Sequence, residues 1–432
     1  MMQKKKKILI FMCLSMLLGY LPWYNFSAVL KYIAEEFTLS SGEIGIILAS
    51  IQFGYIIIVL ITGWLSDKIG ENKVLAVATL LTGIFSTSFI WLAQGFKSIL
   101  ILRLITGLSA GAIYAPGVSL LSNWFSSKER GMAIGAYTGA LTAAYAGGYF
   151  IASPLASIYG WRTGVLWTSL PVFLAAFILF FFVENKPSSE ENEDDQVNQD
   201  ESKMHTLSDR DPNEIKPAPE GGYCGPAIIT SSYMGHMWEL YAFWGWIGPF
   251  MVAAAHSVGY NEQAAVALGG QLAAFIIMLG VPAVYLWGMV DDRIGRTKAI
   301  IIAAFCSLSA EFIFGYLLGS SLIAVTLVAF WIGFWVIADS AIYKAGLTDM
   351  IAPKIRTTAL AVQSAIGYTM TIVSPICFGK ILEYKNGSVN PVFATEWGLP
   401  FLILGVGALF APLFAFILRR IPQARLMARG KK

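Results

Sequence analysis

The chain has 432 residues, of which 56% are hydrophobic and only 13% are charged. This composition excludes an ordinary soluble globular protein, in which about a quarter of the residues are charged. The net charge of +3 says little by itself, and the four cysteines lie far apart without the spacing of a metal or redox site.

Long apolar runs recur along the chain, and each is enough to cross a hydrocarbon core of ~30 Å. The first run follows a lysine-rich start but continues well past the length of a signal-peptide core, which indicates an uncleaved helix. The sequence therefore predicts an all-α integral membrane protein with twelve transmembrane helices. The predicted spans are 8–34, 44–66, 74–94, 98–123, 131–157, 161–183, 226–256, 264–290, 299–318, 322–345, 357–382 and 398–418.

One long polar segment, Glu184–Gly222, separates the sixth span from the seventh. It holds twelve acidic and four basic residues and few large apolar side chains, a composition that predicts a disordered linker. The linker is either a tether between two halves or a regulatory segment. The predicted organisation is a six-helix bundle over 1–183, a cytoplasmic linker over 184–222, and a second six-helix bundle with a basic tail over 223–432.

Lysine and arginine are distributed unevenly between the two sets of loops. With the N-terminus inside, the lysine-rich start, the linker and the basic tail from Arg419 all lie on the cytoplasmic side. The opposite side receives only Lys31, Lys97, Arg162, Lys380 and Lys385. Because basic residues near spans stay cytoplasmic, both chain ends are expected in the cytoplasm. Lys31 is expected only to extend its amine to the interface.

An 11-residue pattern, Gly63-Trp-Leu-Ser-Asp-Lys-Ile-Gly-Glu-Asn-Lys73, returns 225 positions later as Gly288-Met-Val-Asp-Asp-Arg-Ile-Gly-Arg-Thr-Lys298. The matched positions are Gly63, Asp67, Lys68 and Gly70 in the first copy and Gly288, Asp292, Arg293 and Gly295 in the second. Residues 129–135 and 355–361 align at nearly the same offset. These matches indicate a doubled chain of six spans, a linker and six spans, related by an axis along the membrane normal.

The chain resembles transporters of the major facilitator superfamily over essentially its whole length. Residues 63–73 satisfy the family's loop pattern G-x-L-[AS]-D-[RK]-x-G-x-x-[RK], and Arg103, Gly107 and Gly111 match its fourth-helix pattern. Residues 123–135 resemble the branch that holds anion:cation symporters, organophosphate antiporters and nitrate/nitrite porters. The resemblance implies two bundles that rock about a central cavity lined by helices 1, 4, 7 and 10.

The sequence departs from the family in three places. The second and eighth spans hold no basic residue, whereas nitrate/nitrite porters are expected to place an arginine in each. The seventh span has His236 and Glu239 where organophosphate antiporters have a basic residue, and the fifth lacks the proline of the drug-antiporter pattern. Nitrate, sugar phosphate and typical drug antiport are therefore disfavoured.

The repeated loops are candidates for a cytoplasmic gate. The resemblance implies a latch in which Asp67 faces the eleventh helix near Arg356, and Asp292 faces the fifth helix near Arg130. A carboxylate is favourable there because the N-terminal end of a helix is positive. Such a latch forms only when the cytoplasmic side is shut, and a plain surface loop is the alternative.

Ionisable residues inside the spans are few, and each costs roughly 2.5–3.5 kcal/mol or more at the bilayer centre. They are Arg103, His236, Glu239, Glu311 and Asp339. His236 and Glu239, three residues apart on one helical face, form either a proton-coupling pair or a packing pair. Asp339 binds a cation or proton, or pairs with Lys344. Glu311 is expected to form a structural contact with a neighbouring helix, and the sequence does not identify the partner residue.

Arg103 lies about five residues inside its span and either binds a carboxylate in the cavity or extends to the interface. Tyr20 and Tyr24, one turn apart, are the best aromatic cavity candidates because their hydroxyls can bond a small polar ligand. Tyr114 and Tyr241 complete the predicted cavity set. Gly245, Gly248 and Pro249 are expected to weaken the seventh helix.

These features favour a secondary active transporter that moves a small organic anion, carboxylate-like, together with H⁺. Efflux of amphipathic compounds is the rival within transport, and a transporter-like sensor is a different class. Without a catalytic cluster, phosphate loop, zinc site or nucleic-acid patch, the sequence predicts no enzyme, no cofactor, no metal and no nucleic-acid partner. The expected partners are a small molecule, H⁺ and the lipid bilayer, for a monomer in the plasma or inner membrane.

Overall fold

The computed structural model describes residues 2–125, 127–185, 222–352 and 355–430, and these residues are helical with short connections. The predicted all-α fold is confirmed. In chain order the helices are α1 (Met2–Gly19), α2 (Asn25–Ala28), α3 (Leu30–Glu36), α4 (Ser41–Ile69), α5 (Glu71–Leu92), α6 (Phe96–Ala110), α7 (Tyr114–Trp124), α8 (Ser127–Tyr159), α9 (Trp161–Phe182), α10 (Cys224–Ser257), α11 (Glu262–Met278), α12 (Gly280–Ile294), α13 (Arg296–Phe314), α14 (Leu322–Ala338), α15 (Ser340–Met350), α16 (Arg356–Asn386), α17 (Gly398–Ala408) and α18 (Phe410–Arg420).

The helices form twelve successive crossings, spans 1 to 12, whose ends lie within six residues of the predicted bounds. Spans 2, 3, 5, 6, 7, 9 and 11 are single helices: α4, α5, α8, α9, α10, α13 and α16. Spans 1, 4, 8, 10 and 12 are broken, into α1–α3, α6–α7, α11–α12, α14–α15 and α17–α18. Span 7 stays continuous through Pro249, so the helix is not broken there.

Nine of these spans, within the described ranges, are long and apolar enough to cross a membrane. Their outer surfaces expose large apolar side chains such as Trp91, Phe181 and Ile323, as lipid contact requires. Spans 1, 5 and 7 fall outside this set. Span 1 begins with four lysines, and α10 is buried along most of its length, so neither presents a long apolar face to lipid.

The two halves repeat one another in backbone as well as in sequence. α14 and α15 begin 226 residues after α6 and α7, and spans 4 and 10 end at the same offset. The break at Gly111–Ile113 in span 4 therefore corresponds to the break at Asp339 in span 10. The turns of the repeated loops also match, since Gly70 has φ 93° and Gly295 has φ 97°. Only glycine adopts this backbone without strain.

Both repeated loops and both chain ends lie on one face of the bundle, which we call the linker face. Lys4 Nζ lies 3.3 Å from the Glu184 carboxylate there, and Trp124 Nε1 donates to the Glu184 carbonyl at 2.7 Å. The opposite side is called the far face. The division into 1–183, 184–222 and 223–432 stays a prediction, because residues 186–221 lie outside the described part of the chain.

The two halves approach each other closely near the far face. They pack through spans 2 and 11 and through spans 5 and 8. A Cβ on Gly45 of span 2 would overlap the Pro375 backbone of span 11. A Cβ on Gly63 or Gly288, at the linker-face ends of spans 2 and 8, would meet no described atom within 4 Å. Among the described residues, the two halves are therefore in close contact at the far face and not around these two glycines.

Lys31 joins the two halves at the far face. Its Nζ lies 2.5 Å from Oε2 of Glu262 in span 8 and 2.8 Å from Oε2 of Glu35 in its own helix. Its carbonyl accepts a hydrogen bond from Asn390 Nδ2 at 2.9 Å. The side chain is only 6% exposed. The expectation that Lys31 merely reaches the interface is wrong, because its charge is used between the halves.

Candidate functional site

Arg103 holds together the broken part of span 1. The chain leaves the helix over residues 20–24, and Pro22 there has no backbone N–H to donate. Arg103 Nη1 donates to the Pro22 carbonyl at 3.0 Å, and Nη2 donates to the Trp23 carbonyl at 2.5 Å. Nη1 also lies 3.4 Å from Asn25 Oδ1. Arg103 is therefore an interior residue, 4% exposed, and does not extend to the interface.

Four buried polar atoms beside this contact have no hydrogen-bond partner among the described residues. They are Trp23 Nε1, Tyr24 OH, Gln52 Oε1 and Arg103 Nε. All four residues line one cavity, whose opposite wall comes from the second half. That wall is formed by Tyr241, Gly245, Thr371 and Pro375. Because nearly all buried polar groups are bonded, four unpaired atoms at one cavity indicate a site for a polar ligand.

The cavity has a volume of about 10 Å³, close to the room that one water molecule needs. It lies where the two halves meet, between spans 1, 2 and 4 on one side and spans 7 and 11 on the other. No carboxylate of the described residues lies within ion-pair distance of Arg103, so its charge is not neutralised by Glu239. The site in this state is a contracted pocket with an arginine at its wall.

The four predicted cavity tyrosines differ in what their hydroxyls do. Tyr20 OH donates to the Ala110 carbonyl at 2.7 Å, at the break of span 4. Tyr114 OH lies 2.9 Å from Thr138 Oγ1 in span 5. Tyr24 and Tyr241 line the cavity, and the Tyr24 hydroxyl is buried without a hydrogen-bond partner among the described residues. Tyr20 is thus a structural residue, whereas Tyr24 is available to a ligand.

Aromatic rings from both halves pack around this cavity. Tyr55 stacks on Tyr368 with ring centres 5.1 Å apart, and Tyr145 meets Trp244 edge-on at 5.5 Å. Sequence reasoning named none of Tyr55, Tyr145 and Tyr368 as cavity residues. Nothing in their local spacing separates them from the other aromatic residues of the spans. Their role follows only from which spans face each other.

His236 is paired with Asp339, at the break of span 10. Its Nδ1 lies 2.9 Å from Asp339 Oδ1, and its Nε2 lies 2.6 Å from Ser340 Oγ. Tyr343 OH donates to the other carboxylate oxygen of Asp339 at 2.9 Å. Both members of the pair are buried, with His236 2% and Asp339 3% exposed. The predicted pairing of Asp339 with Lys344 is not formed.

Glu239 has different partners from His236. It accepts a hydrogen bond from Ser307 Oγ of span 9 and interacts with Glu311 of the same span. Glu311 is fully buried, and its contact in the described structure is this carboxyl of Glu239. A spacing of three residues turns His236 and Glu239 about 60° apart, so they face different neighbouring spans. The predicted His236–Glu239 pair is therefore not formed.

The predicted cytoplasmic latch cannot be followed in full, because the side chains of Asp67, Arg130 and Arg356 lie outside the described residues. Asp292 Oδ1 lies 3.0 Å from Arg296 Nη1. Lys68 Nζ lies 4.0 Å above the Trp64 ring. The latch stays a prediction.

Arg296 is the centre of the charges in the second repeated loop. Its Nη1 lies 2.5 Å from Asp291 Oδ2, and its Nε lies 3.4 Å from Asp349 Oδ2 in span 10. Sequence reasoning selected Asp292 and missed Asp291, which is 2% exposed. Asp291 replaces Ser66 of the first copy, so the repeat pattern does not mark it.

Comparison with known proteins agrees with this architecture. The sequence profile of the Major Facilitator Superfamily matches residues 12–343. The hexuronate transporter of Bacillus subtilis (strain 168) is 23% identical over 408 residues, covering 91% of this chain and 92% of that one. A "Probable sulfoacetate transporter" of Cupriavidus necator is 25% identical over 423 residues, covering 93% and 92%. The crystal structure of a D-xylose-proton symporter has a TM-score of 0.73 at 18% identity, covering 97% of this chain and 98% of that one.

Proposed function

This chain belongs to the major facilitator superfamily of membrane transporters, and from that premise we propose that it moves a small organic anion together with H⁺. It is a multi-pass membrane protein and a secondary transporter rather than an enzyme. The proposed cargo carries a carboxylate or a similar oxygen anion. Transport proceeds by alternating access, in which the cavity opens to one face at a time.

The set of unpaired donors around the central cavity carries the proposal of an anionic cargo. Arg103 Nε, Trp23 Nε1 and Tyr24 OH can each donate a hydrogen bond, and Arg103 is a permanent cation. Of the four unpaired atoms, only Gln52 Oε1 accepts a hydrogen bond and cannot donate one. An ionised carboxylate accepts several hydrogen bonds and donates none. Two similar proteins are named as transporters of hexuronate and sulfoacetate, both of which are anions, and this supports the same class of cargo.

We assign the proton to the His236–Asp339 pair. An imidazolium beside a carboxylate has no net charge, so the protonated pair avoids an isolated charge inside the membrane. Ser340 Oγ and Tyr343 OH are the hydrogen-bonding neighbours of the pair. Because Asp339 is also the residue at which span 10 breaks, gain or loss of the proton acts directly on that break.

The uneven distribution of lysine and arginine assigns the linker face to the cytoplasm. With this orientation, the contacts of spans 2, 5, 8 and 11 close the outer side, and the proposed state is open to the cytoplasm. Opening the far face separates Lys31 from Glu262 and brings the two repeated loops towards the opposite half. The proposed latch of Asp67 and Asp292 belongs to that second state.

Uptake into proteoliposomes tests the function. With an inward-directed proton gradient, radiolabelled D-glucuronate or sulfoacetate is expected to accumulate above its external concentration, and a protonophore is expected to abolish the accumulation. Asp339→Asn is expected to lose accumulation but retain exchange of labelled for unlabelled cargo. Glu396→Gln, which changes an exposed carboxylate in the connection before α17, serves as the control. Wild-type uptake that is indifferent to the gradient contradicts the coupling.

A further inference from the structure

Lys344 is a partly buried lysine on the linker-face side of the break in span 10. It lies in α15, the second half of that span. Its Nζ donates to Ser364 Oγ of span 11 at 2.6 Å and lies 4.4 Å from the centre of the Tyr233 ring in span 7. Three spans of the second half thus surround one ammonium group.

The charge of Lys344 is not matched by an anion in the described structure. Other interior basic side chains have strong partners: Lys31 contacts two carboxylates, and Arg103 donates to two backbone carbonyls. Lys344 has only a hydroxyl and the face of an aromatic ring. An ammonium group withdrawn from water is unfavourable without a charged partner. An anion from solution would supply that partner.

We propose that Lys344 is a second cargo-binding group, which receives the anionic group of the cargo on the linker-face side of the break in span 10. This inference rests on the proposed function, because it assumes that the cargo is an anion. Arg103 lies before the break of span 4, and Lys344 lies after the matching break of span 10, so each half contributes one cation at a different depth. The cargo then meets a cation of each half in turn.

Arg103 and Lys344 each keep two N–H donors that no described residue uses. Arg103 has five N–H donors, of which three bond Pro22, Trp23 and Asn25, and its Nε is unpartnered. An ammonium group has three N–H donors, and Ser364 occupies one of those of Lys344. Lys344 can therefore offer two hydrogen bonds and a full charge without losing its structural contact.

Tyr233 connects the proposed anion site to the proposed proton site. Its ring lies 4.4 Å from Lys344 Nζ and 6.0 Å, centre to centre, from the His236 ring. Ser340, one turn before Lys344 on α15, contacts His236 Nε2. An anion on Lys344 and a proton on His236 attract each other across this short distance, which favours their binding together.

Binding of D-glucuronate and sulfoacetate to the purified full-length protein tests the inference. Thermal-shift titrations compare the wild type with the neutral variants Lys344→Gln and Lys344→Met, the charge-retaining Lys344→Arg, and Lys97→Gln. Lys97 is an exposed lysine near the start of α6 and is the matched control. The neutral variants are expected to bind both anions about tenfold more weakly or worse, as loss of a charged hydrogen bond predicts. Lys344→Arg is expected to retain most of the affinity.

The outcomes separate this inference from the proposed function. Folding of each variant is checked by gel filtration and by its melting temperature without ligand, and Lys344→Met serves if Lys344→Gln does not fold. A neutral variant that binds both anions as tightly as the wild type overturns the role of Lys344 and leaves the proposed function standing. A wild-type protein that neither binds nor takes up either anion overturns both.

Discussion

Lys31 and Glu262 connect the two halves at the far face through an ion pair of 2.5 Å. Lys31 belongs to span 1, and Glu262 lies in the first turn of span 8. Because the two bundles rock against each other in alternating access, a contact between their ends exists in one access state only. Glu35 lies one turn from Lys31 on the same helix, so its contact persists in both states.

Glu262→Gln is expected to shift the protein towards the state that is open at the far face. Glu35→Gln removes a carboxylate from the same lysine and is expected to leave the balance nearly unchanged. Spin labels at Lys97 and Tyr384, both exposed near the far face, report the separation of the halves. The measurement needs a background without the four native cysteines. Identical distance distributions in the two variants would show that the interhalf pair does not control access.

Tyr20→Phe and Tyr24→Phe are expected to have opposite effects. Tyr20→Phe removes the bond to the Ala110 carbonyl and is expected to lower the free energy of unfolding by about 1 kcal/mol. Tyr24→Phe removes an unpaired hydroxyl, so its stability is expected to be unchanged or higher while cargo binding weakens. Thermal unfolding and binding of D-glucuronate measure the two effects. Equal loss of binding in both variants contradicts the assignment of Tyr20 to structure.

Arg103→Lys is expected to destabilise the fold although it keeps the charge. A lysine cannot reproduce the two directed bonds to the carbonyls of Pro22 and Trp23, and each buried carbonyl left unpaired costs about 1–3 kcal/mol. Arg162→Lys is the control, since Arg162 pairs with Glu36 in partial solvent and is expected to change stability by about 1 kcal/mol or less. Equal melting temperatures for the two variants count against the role of Arg103 in span 1.

Glu311→Leu is expected to raise thermal stability. The Glu311 carboxyl is fully buried, and its contact in the described structure is the Glu239 carboxyl. Leucine removes a desolvation penalty of about 1–3 kcal/mol, which we expect to exceed the loss of that contact. Glu239→Leu is the contrasting variant, because it takes the acceptor away from Ser307 Oγ and is expected to destabilise. A lower melting temperature for Glu311→Leu would indicate a bond to Glu311 that stabilises the fold.

The spans were predictable because their bounds depend on the length of apolar runs, which is a property of the sequence alone. The breaks within the spans were not predictable from the sequence. Whether a helix stays continuous depends on whether another span forms hydrogen bonds with the backbone groups that a break leaves unpaired. Span 4 breaks at Gly111–Ile113, where the Tyr20 hydroxyl of span 1 donates a hydrogen bond to the Ala110 carbonyl. Span 7 carries Pro249 and stays helical. A proline in the sequence therefore indicates a missing backbone hydrogen bond in the helix, but not a break in the helix.

The same limit explains the outcome for the charged residues. Helical spacing selected His236, Glu239 and Asp339 as residues that need partners inside the membrane, and the structure gives each of them one. Spacing within one helix does not tell which neighbouring span stands opposite, so His236 was matched to the wrong carboxylate. The role of Lys31 was predicted wrongly for a related reason. The position of a residue along a helix indicates its depth in the membrane, but not which residues of the other half lie opposite it.

The break shared by spans 4 and 10 has the same position in both copies of the repeat. The group beside it is a tyrosine hydroxyl in span 4 and an imidazole–carboxyl pair in span 10. The two halves therefore interrupt equivalent helices at one depth with different chemistry. If the His236–Asp339 pair carries the proton, only the second half responds to it at this depth, and the first half keeps a fixed hydrogen bond.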